Sequence, residues 1–186
     1  MFKKIAVGGG VLGVVLVGAV LAFAATRPDS MHVERVTIIK APPEKIFPLI
    51  NDYRNWAQWS PYEHRDPAMK RSFSGPAAGR GAVYVWEGNK NVGSGRMEIV
   101  DTAPNKIIIK LDFFAPFKAN NIAEFTLTPK GGATEVTWAM HGPLPYVGKL
   151  MHMVINCDKM VGKDFETGLA SMKAVAERQA LQSSAA

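Results

Sequence analysis

The sequence has 186 residues, of which 47% are hydrophobic and 20% are charged, a balance that excludes a disordered or fibrous chain. Its single cysteine, Cys157, excludes an internal disulfide framework and any metal site that needs several cysteines. The formal net charge is +6, but three of the 22 basic residues flank the apolar N-terminus. From Pro28 onward 19 basic residues face 16 acidic ones, an excess too small to predict nucleic-acid binding.

The N-terminal stretch Ile5–Ala25 contains no charged residue and, as a helix, would cross about 30 Å of hydrocarbon. Two lysines precede it, which places the N-terminus in the cytoplasm. We therefore predict a stub and single-pass transmembrane anchor at residues 1–27 in the cytoplasmic membrane. One domain, residues 28–186, then lies on the periplasmic or extracytoplasmic side. A cleaved signal peptide stays open as an alternative, because Ala22-Phe23-Ala24 has the form of a cleavage site.

The rest of the chain predicts a strand, two short helices, six more strands and a long C-terminal helix. Val33–Lys40 is rich in β-branched residues, Pro43 and Glu44 suit the first turn of a helix, and a second short helix covers Tyr53–Gln58. Turn residues and short connections predict that the six later strands form an antiparallel meander. These strands are Met69–Ser74, Ala82–Glu87, Val92–Asp101, Lys106–Phe114, Ala119–Pro129 and Ala133–His141.

Four consecutive strands alternate apolar and polar residues, which indicates a sheet that is covered on one face only. The cover is the C-terminal helix, predicted over Lys159–Arg178 after a short helical lead-in at Tyr146–Ile155. Its apolar residues recur every three to four positions and form one stripe. The stripe consists of Val161, Phe165, Leu169, Met172 and Ala176. The fold class predicted from these elements is α+β.

Four stretches of this chain resemble the START-like, or SRPBCC, superfamily, which includes the birch pollen allergen and the polyketide cyclase/dehydrase and lipid transport family. They are VERVTIIKAPPEKIFPLINDYRNWAQWSPY, VYVWEGNKNVGSGRMEIVD, EVTWAMHGPLP and DKMVGKDFETGLASMKAVAE. The resemblance implies a helix-grip fold, in which a curved antiparallel sheet of about seven strands wraps around the C-terminal helix and encloses an apolar cavity. This fold serves carriers, cyclases and co-chaperones, so it does not imply one chemistry.

Eleven aromatic and aliphatic residues are expected to converge between the sheet and the helix as ligand-binding residues. They are Tyr84, Trp86, Met97, Ile109, Phe113, Phe125, Trp138, Met140, Phe165, Leu169 and Met172. Two interpretations stay open: the residues fill a solid core, as most apolar stripes do, or they line a pocket for a hydrophobic ligand. If there is a pocket, Trp138 and Phe165 are expected to face each other across it.

No catalytic constellation, cofactor or metal site is predicted. The four histidines lack the spacing of a metal motif, although His141 and His152 are close enough in sequence to meet across a Pro-rich bend. Asp158 and Asp164 are interpreted as acids that favour the start of the C-terminal helix.

The function predicted from these features is a membrane-tethered binding protein for a lipid or another hydrophobic small molecule. One alternative is an enzyme of the polyketide cyclase/dehydrase type, which the resemblance suggests. The other is a partner-binding module without a ligand.

Overall fold

The computed structural model describes residues 16–154 and 157–184. Residues 16–25 are helical and precede the first strand. The later elements are β1 (Ser30–Ile39), α1 (Pro43–Asn51), 3-10 helices at Tyr53–Gln58 and Pro61–His64, β2 (Lys70–Ser74), β3 (Val83–Glu87), β4 (Ser94–Ala103), β5 (Lys106–Ala115), β6 (Ala119–Lys130), β7 (Ala133–Pro143), α2 (Tyr146–Val154) and α3 (Cys157–Ser184). The pattern does not predict the 3-10 helix Pro61–His64, and α3 continues past the predicted end at Arg178. The other predicted elements are confirmed with small shifts of their ends.

The strands form one antiparallel seven-stranded sheet, in the order β1-β7-β6-β5-β4-β3-β2. The predicted meander is therefore confirmed, and β1 pairs with β7 at the edge. Alternate residues point toward α3: Ile109, Ala123 and Met140 lie side by side on three strands and are all buried. Register irregularities at Ser94/Gly95 and Ile99/Asp101 interrupt the pairing of β4 with β5, and such bulges bend a strand.

Helix α3 packs along β1 and buries four of the five residues of its predicted apolar stripe, whereas Val161 is partly buried and lines the cavity described below. Phe165, Leu169, Met172 and Ala176 are each at most 2% exposed. Polar contacts fix its position, because the carboxylate of Glu177 accepts a hydrogen bond from the backbone N–H of Lys40 at 2.7 Å. This backbone hydrogen bond lowers the pKa of Glu177. The sheet and the long helix form the predicted helix-grip architecture.

The Trp-x-x-Trp segment attaches the 3-10 helix Tyr53–Gln58 to α1. Trp56 donates its indole N–H to the carbonyl of Ile50 at 3.0 Å, and Trp59 donates to the carbonyl of Leu49 at 2.7 Å. Both indole rings are at most 4% exposed. Helix α1 begins as predicted, with Pro43 in its first turn.

Residues 5–15 of the predicted anchor lie outside the described residues. Within residues 16–154 and 157–184, no helix is both long enough and apolar enough to cross a membrane. The helical segment at residues 16–25 contacts α2, because the Tyr146 hydroxyl donates to the carbonyl of Leu21 at 2.7 Å. Just after this segment, Lys149 of α2 pairs with Asp29 at 2.5 Å. The start of the described chain is thus joined to α2.

Candidate functional site

A cavity of about 420 Å³ lies between the inner face of the sheet and the first half of α3. Strands β3 to β7 form one wall, and α3 together with the segment from Trp56 to Met69 forms the other. Because α3 packs along β1, at the far edge of the sheet from β2, it leaves part of the inner face of β3 to β5 uncovered. The interruptions in β4 bend the sheet in the same region. The cavity therefore follows from the path of α3 and the curvature of the strands.

Seven of the eleven predicted ligand-binding residues line this cavity. They are Tyr84, Trp86, Met97, Phe113, Trp138, Met140 and Phe165. The other four, Ile109, Phe125, Leu169 and Met172, are at most 2% exposed and belong to the solid core, not to the cavity lining. These eleven residues therefore divide between the wall of a cavity and a solid core.

Trp138 and Phe165 do not face each other across open space, as predicted for a pocket, but stack directly. Their ring centroids are 3.9 Å apart and the planes are inclined by only 8°. Trp138 also stacks on Phe125 at 5.0 Å. The Trp138–Phe165 pair therefore closes the β1 side of the cavity, which extends from there toward β3.

A buried carboxylate forms a polar part of the cavity wall. Glu63 accepts a hydrogen bond from the Tyr84 hydroxyl at 2.7 Å and another from Arg71 Nε at 2.7 Å. Arg71 also donates to the backbone carbonyl of Glu63 at 2.9 Å. Burial and the neighbouring carboxylate raise the pKa of the Tyr84 phenol, so this hydroxyl stays protonated at neutral pH. We call Glu63, Arg71 and Tyr84 the Glu63 cluster.

A second carboxylate, that of Asp164, lies where α3 meets the 3-10 helix Pro61–His64. Asp164 accepts a hydrogen bond from the Tyr62 hydroxyl at 3.2 Å and pairs with Arg65. Burial and the Asp164 charge raise the pKa of Tyr62. Asp164 therefore connects α3 to the cavity lining, whereas the predicted role at the helix start applies to Asp158, which lies in the first turn of α3. Asp158 pairs with Arg35 at 3.2 Å.

The charged part of the lining is what the sequence pattern misses. Tyr62, Glu63 and Arg65 lie in and just after the 3-10 helix Pro61–His64, a stretch that shows no periodicity. The pattern predicts only that Ser60-Pro61 ends the preceding helix. A signal is present in hindsight: the charged run Glu63-His64-Arg65-Asp66 directly follows the Trp-rich segment that packs onto the sheet.

Among the side chains that the structure describes, no histidine lines this cavity. His32 and His141 stack on each other with ring centroids 6.4 Å apart and line an open groove of about 630 Å³ on another side of the sheet. The predicted partner of His141, His152, has a side chain outside the described part of the chain. Within that part, no three His, Cys, Asp or Glu residues are grouped as they would be to hold a metal ion.

Comparisons with known proteins give a family from one family model and the fold from solved structures. The family model described as polyketide cyclase/dehydrase and lipid transport matches residues 30–177. A search of curated proteins gave no match.

Many solved structures share the fold, and three illustrate the range. Protein CV1439 from Chromobacterium violaceum is 16% identical, with a TM-score of 0.55 over 81% of this chain and 99% of its own. The Aha1 dimer from Colwellia psychrerythraea is 17% identical, with a TM-score of 0.57 over 79% and 96%. The di-domain ARO/CYC StfQ from the steffimycin biosynthetic pathway is 13% identical, with a TM-score of 0.62 over 81% of this chain and 52% of its own. At these identities the likeness shows the fold alone.

Proposed function

The chain belongs to the polyketide cyclase/dehydrase and lipid transport family, and from this membership and its cavity we propose that it binds one hydrophobic small molecule between the sheet and α3. The observation that carries the proposal is the cavity itself. Its volume of about 420 Å³ lies toward the lower end of the roughly 300–1,000 Å³ usual for small-molecule pockets. Such a volume favours one compact molecule, with a single chain or fused rings, over a two-chain phospholipid.

The lining favours apolar contacts with a few polar groups at fixed positions. Trp86, Phe113 and Met97 supply aromatic and thioether surface, and methionines adapt to ligands of irregular shape. A partner-binding module with a filled interior is not favoured by this lining.

Binding is favoured over chemistry because both carboxylates in the lining are already engaged. Glu63 accepts from Tyr84 and Arg71, and Asp164 accepts from Tyr62 and Arg65. Each of the four carboxylate oxygens thus already accepts a hydrogen bond from a protein side chain, which orients both carboxylates toward these partners. We therefore propose that Glu63 and Asp164 set the shape and polarity of the cavity wall and do not react with the ligand. The proposal is tested by saturable binding of an apolar fluorescent probe, N-phenyl-1-naphthylamine, with one site per chain.

We propose further that the N-terminal segment tethers this domain to the cytoplasmic membrane. The turn at residues 114–117, which borders the cavity, would then face the bilayer. Two features support this orientation. Ala115 and Pro116 line the cavity, and the flanking Phe114 and Phe117 are 50% and 63% exposed. This turn lies at the same end of the sheet as the start of β1, which follows the N-terminal segment. A hydrophobic ligand would then pass between bilayer and cavity with little exposure to water.

The orientation predicts where the C-terminus lies. A reporter enzyme that works only outside the cytoplasm, fused after Ala186, is expected to be active, because the two N-terminal lysines hold the N-terminus inside. The same fusion with Lys3 and Lys4 changed to Glu is the matched control, and its activity should fall. Activity of a cytoplasm-specific reporter at the same position would contradict the orientation.

We also propose that residues 28–186 form one domain that folds without the N-terminal segment. The hydrogen bond from Tyr146 to Leu21 is lost when the chain begins at Pro28, whereas the ion pair between Lys149 and Asp29 is kept. The shortened chain is expected to unfold in a single cooperative thermal transition, followed by circular dichroism. Two separate transitions, or none, would contradict a single independent domain.

A further inference from the structure

Five buried side-chain polar atoms among the described residues have no hydrogen-bond partner, and two of them belong to the cavity lining. The five are Asn51 Oδ1, Tyr53 OH, Ser60 Oγ, Asn121 Oδ1 and Trp138 Nε1. Ser60 and Trp138 line the cavity, and they are 1% and 3% exposed. A buried polar group without a partner costs roughly 1–3 kcal/mol, so folded proteins rarely leave one unless something else satisfies it.

The packing of Trp138 places its N–H on the edge of the ring away from α3. Phe165 and Phe125 stack on its ring, at 3.9 Å and 5.0 Å. Its benzene edge faces α3, because a Cβ atom added at Gly168 would lie 2.8 Å from Trp138 Cζ3. The Nε1–H lies on the opposite edge of the indole. Three ring neighbours, Phe125, Trp59 and Phe165, together with α3 account for the other contacts of Trp138, and we take the N–H edge to be the one that borders the cavity.

Ser60 is connected to Trp138 through the residue that precedes it. It follows Trp59, whose ring meets Trp138 edge-on with centroids 5.4 Å apart. Its backbone N–H donates to the carbonyl of Trp56 at 2.8 Å, so its backbone is held in place while its hydroxyl stays unpartnered. Ser60 and Trp138 thus each bring one unpartnered polar atom to the cavity lining.

The three other tryptophans show that this arrangement is particular to Trp138. Trp56, Trp59 and Trp86 each donate the indole N–H to a backbone carbonyl, at 3.0, 2.7 and 3.1 Å. Trp138 alone among the four has an indole N–H without an acceptor within the described residues. An indole N–H can only donate, so a group that satisfies it must be an acceptor.

We infer that the ligand is a neutral apolar molecule that carries an oxygen acceptor, such as a ketone, ester or ether, and that this oxygen accepts a hydrogen bond from Trp138 Nε1–H, with the Ser60 hydroxyl as a second polar group of the lining. The inference rests on the proposed function and adds the chemical class of the ligand. A neutral ligand is favoured because neither cation of the lining is placed to neutralise a charge beside Trp138: the Arg65 guanidinium is paired with Asp164, and Lys90 is an exposed residue between β3 and β4. A carboxylate beside Trp138 would be buried without a counter-charge, which is costly.

The test compares isosteric probes on the full-length chain in detergent micelles. The probes are 2-acetylnaphthalene, its hydrocarbon isostere 2-isopropenylnaphthalene, and 2-naphthoate. Indole ¹H–¹⁵N spectra report each tryptophan separately, and Trp56, Trp59 and Trp86 serve as internal references because they are already hydrogen-bonded. The ketone is expected to move the Trp138 indole proton downfield, as a new hydrogen bond does, while the hydrocarbon binds without that shift.

Affinity gives a second readout that does not depend on spectral assignment. A hydrogen bond to a neutral donor corresponds to a preference of about 3–10-fold for the ketone over the hydrocarbon. The preference for the ketone over the hydrocarbon is measured for the native chain and for Trp138→Phe, and the two preferences are compared as a ratio. Partition of each probe into the micelle is the same for both chains and therefore cancels in this ratio. Ser60→Ala is a smaller change that keeps the stack of aromatic rings. It is expected to reduce the preference for the ketone over the hydrocarbon in part. This variant keeps the test valid if Trp138→Phe fails to fold.

The outcomes separate this inference from the proposed function. Equal binding of ketone and hydrocarbon, with the Trp138 indole signal unmoved by the ketone, would overturn the inference and leave apolar binding intact. Binding of 2-naphthoate in preference to the ketone would overturn the neutral class of the ligand. Failure of every probe to bind would contradict the proposed function itself.

Discussion

Replacing Phe125 by Ala is expected to lower the free energy of unfolding by about 3–5 kcal/mol, the usual cost of truncating a fully buried aromatic residue. Phe125 is 0% exposed, and its ring contacts Trp56, Trp59 and Trp138 with centroids 5.0–6.2 Å apart. The cavity left behind would be surrounded by rigid rings that cannot collapse into it. Urea unfolding of the chain beginning at Pro28 measures this change.

The matched variant is Phe113→Ala, the same substitution on the neighbouring strand. Phe113 lines the cavity and is only partly buried, and its ring contact is with Trp86 at 5.8 Å. Its truncation is expected to cost less than about half as much as that of Phe125, because fewer protein atoms lose contacts. The affinity for an apolar probe should fall instead. Equal losses of stability in the two variants would indicate that Phe113 belongs to a filled core.

Glu63→Ala is expected to lower the free energy of unfolding by about 2–4 kcal/mol. The substitution removes the acceptor of the Tyr84 hydroxyl and the counter-charge of Arg71, and removing one partner of a buried ion pair leaves the other uncompensated. The Glu63 side chain is 7% exposed and that of Arg71 is 28% exposed, so solvent relieves only part of the loss.

Glu87→Ala serves as the control for Glu63→Ala. Glu87 pairs with Lys70 at 4.0 Å, and both side chains are more than 70% exposed. Such a surface pair contributes less than about 1 kcal/mol, so this variant should unfold almost like the native chain. If Glu63→Ala were no more destabilising than Glu87→Ala, the Glu63 cluster would not be a structural part of the cavity wall.

The sequence predicts the elements and their faces well because alternation along a strand reports which side is buried. Phe125 and Phe113 illustrate what it cannot report. Both lie on the inner face of adjacent strands, yet one is in the core and the other lines the cavity. Periodicity gives the face of a residue but not the distance to the opposite layer, which depends here on the path of α3 and the interruptions in β4.

The polar part of the site could not be predicted for a different reason. Glu63 and Asp164 are about a hundred positions apart in the chain, and each finds its partners through tertiary packing. Asp164 appears in sequence as an acid near a helix start, but α3 begins earlier and Asp164 reaches Tyr62 and Arg65 instead. The unpartnered Trp138 N–H is likewise visible only once its ring stack is known.

The central claim, that an apolar molecule binds inside the cavity, is tested most directly by filling that cavity. Ala123 lies on its wall and is 3% exposed, and Ala123→Leu would place three more carbon atoms in the space. Ala103→Leu makes the same change at an exposed position of β4. N-phenyl-1-naphthylamine is titrated into the three forms of the chain beginning at Pro28, each shown by its unfolding curve to be folded. We expect one saturable site in the native chain and in Ala103→Leu, and affinity about tenfold weaker or lost in Ala123→Leu. Undiminished binding by a folded Ala123→Leu variant would contradict the claim.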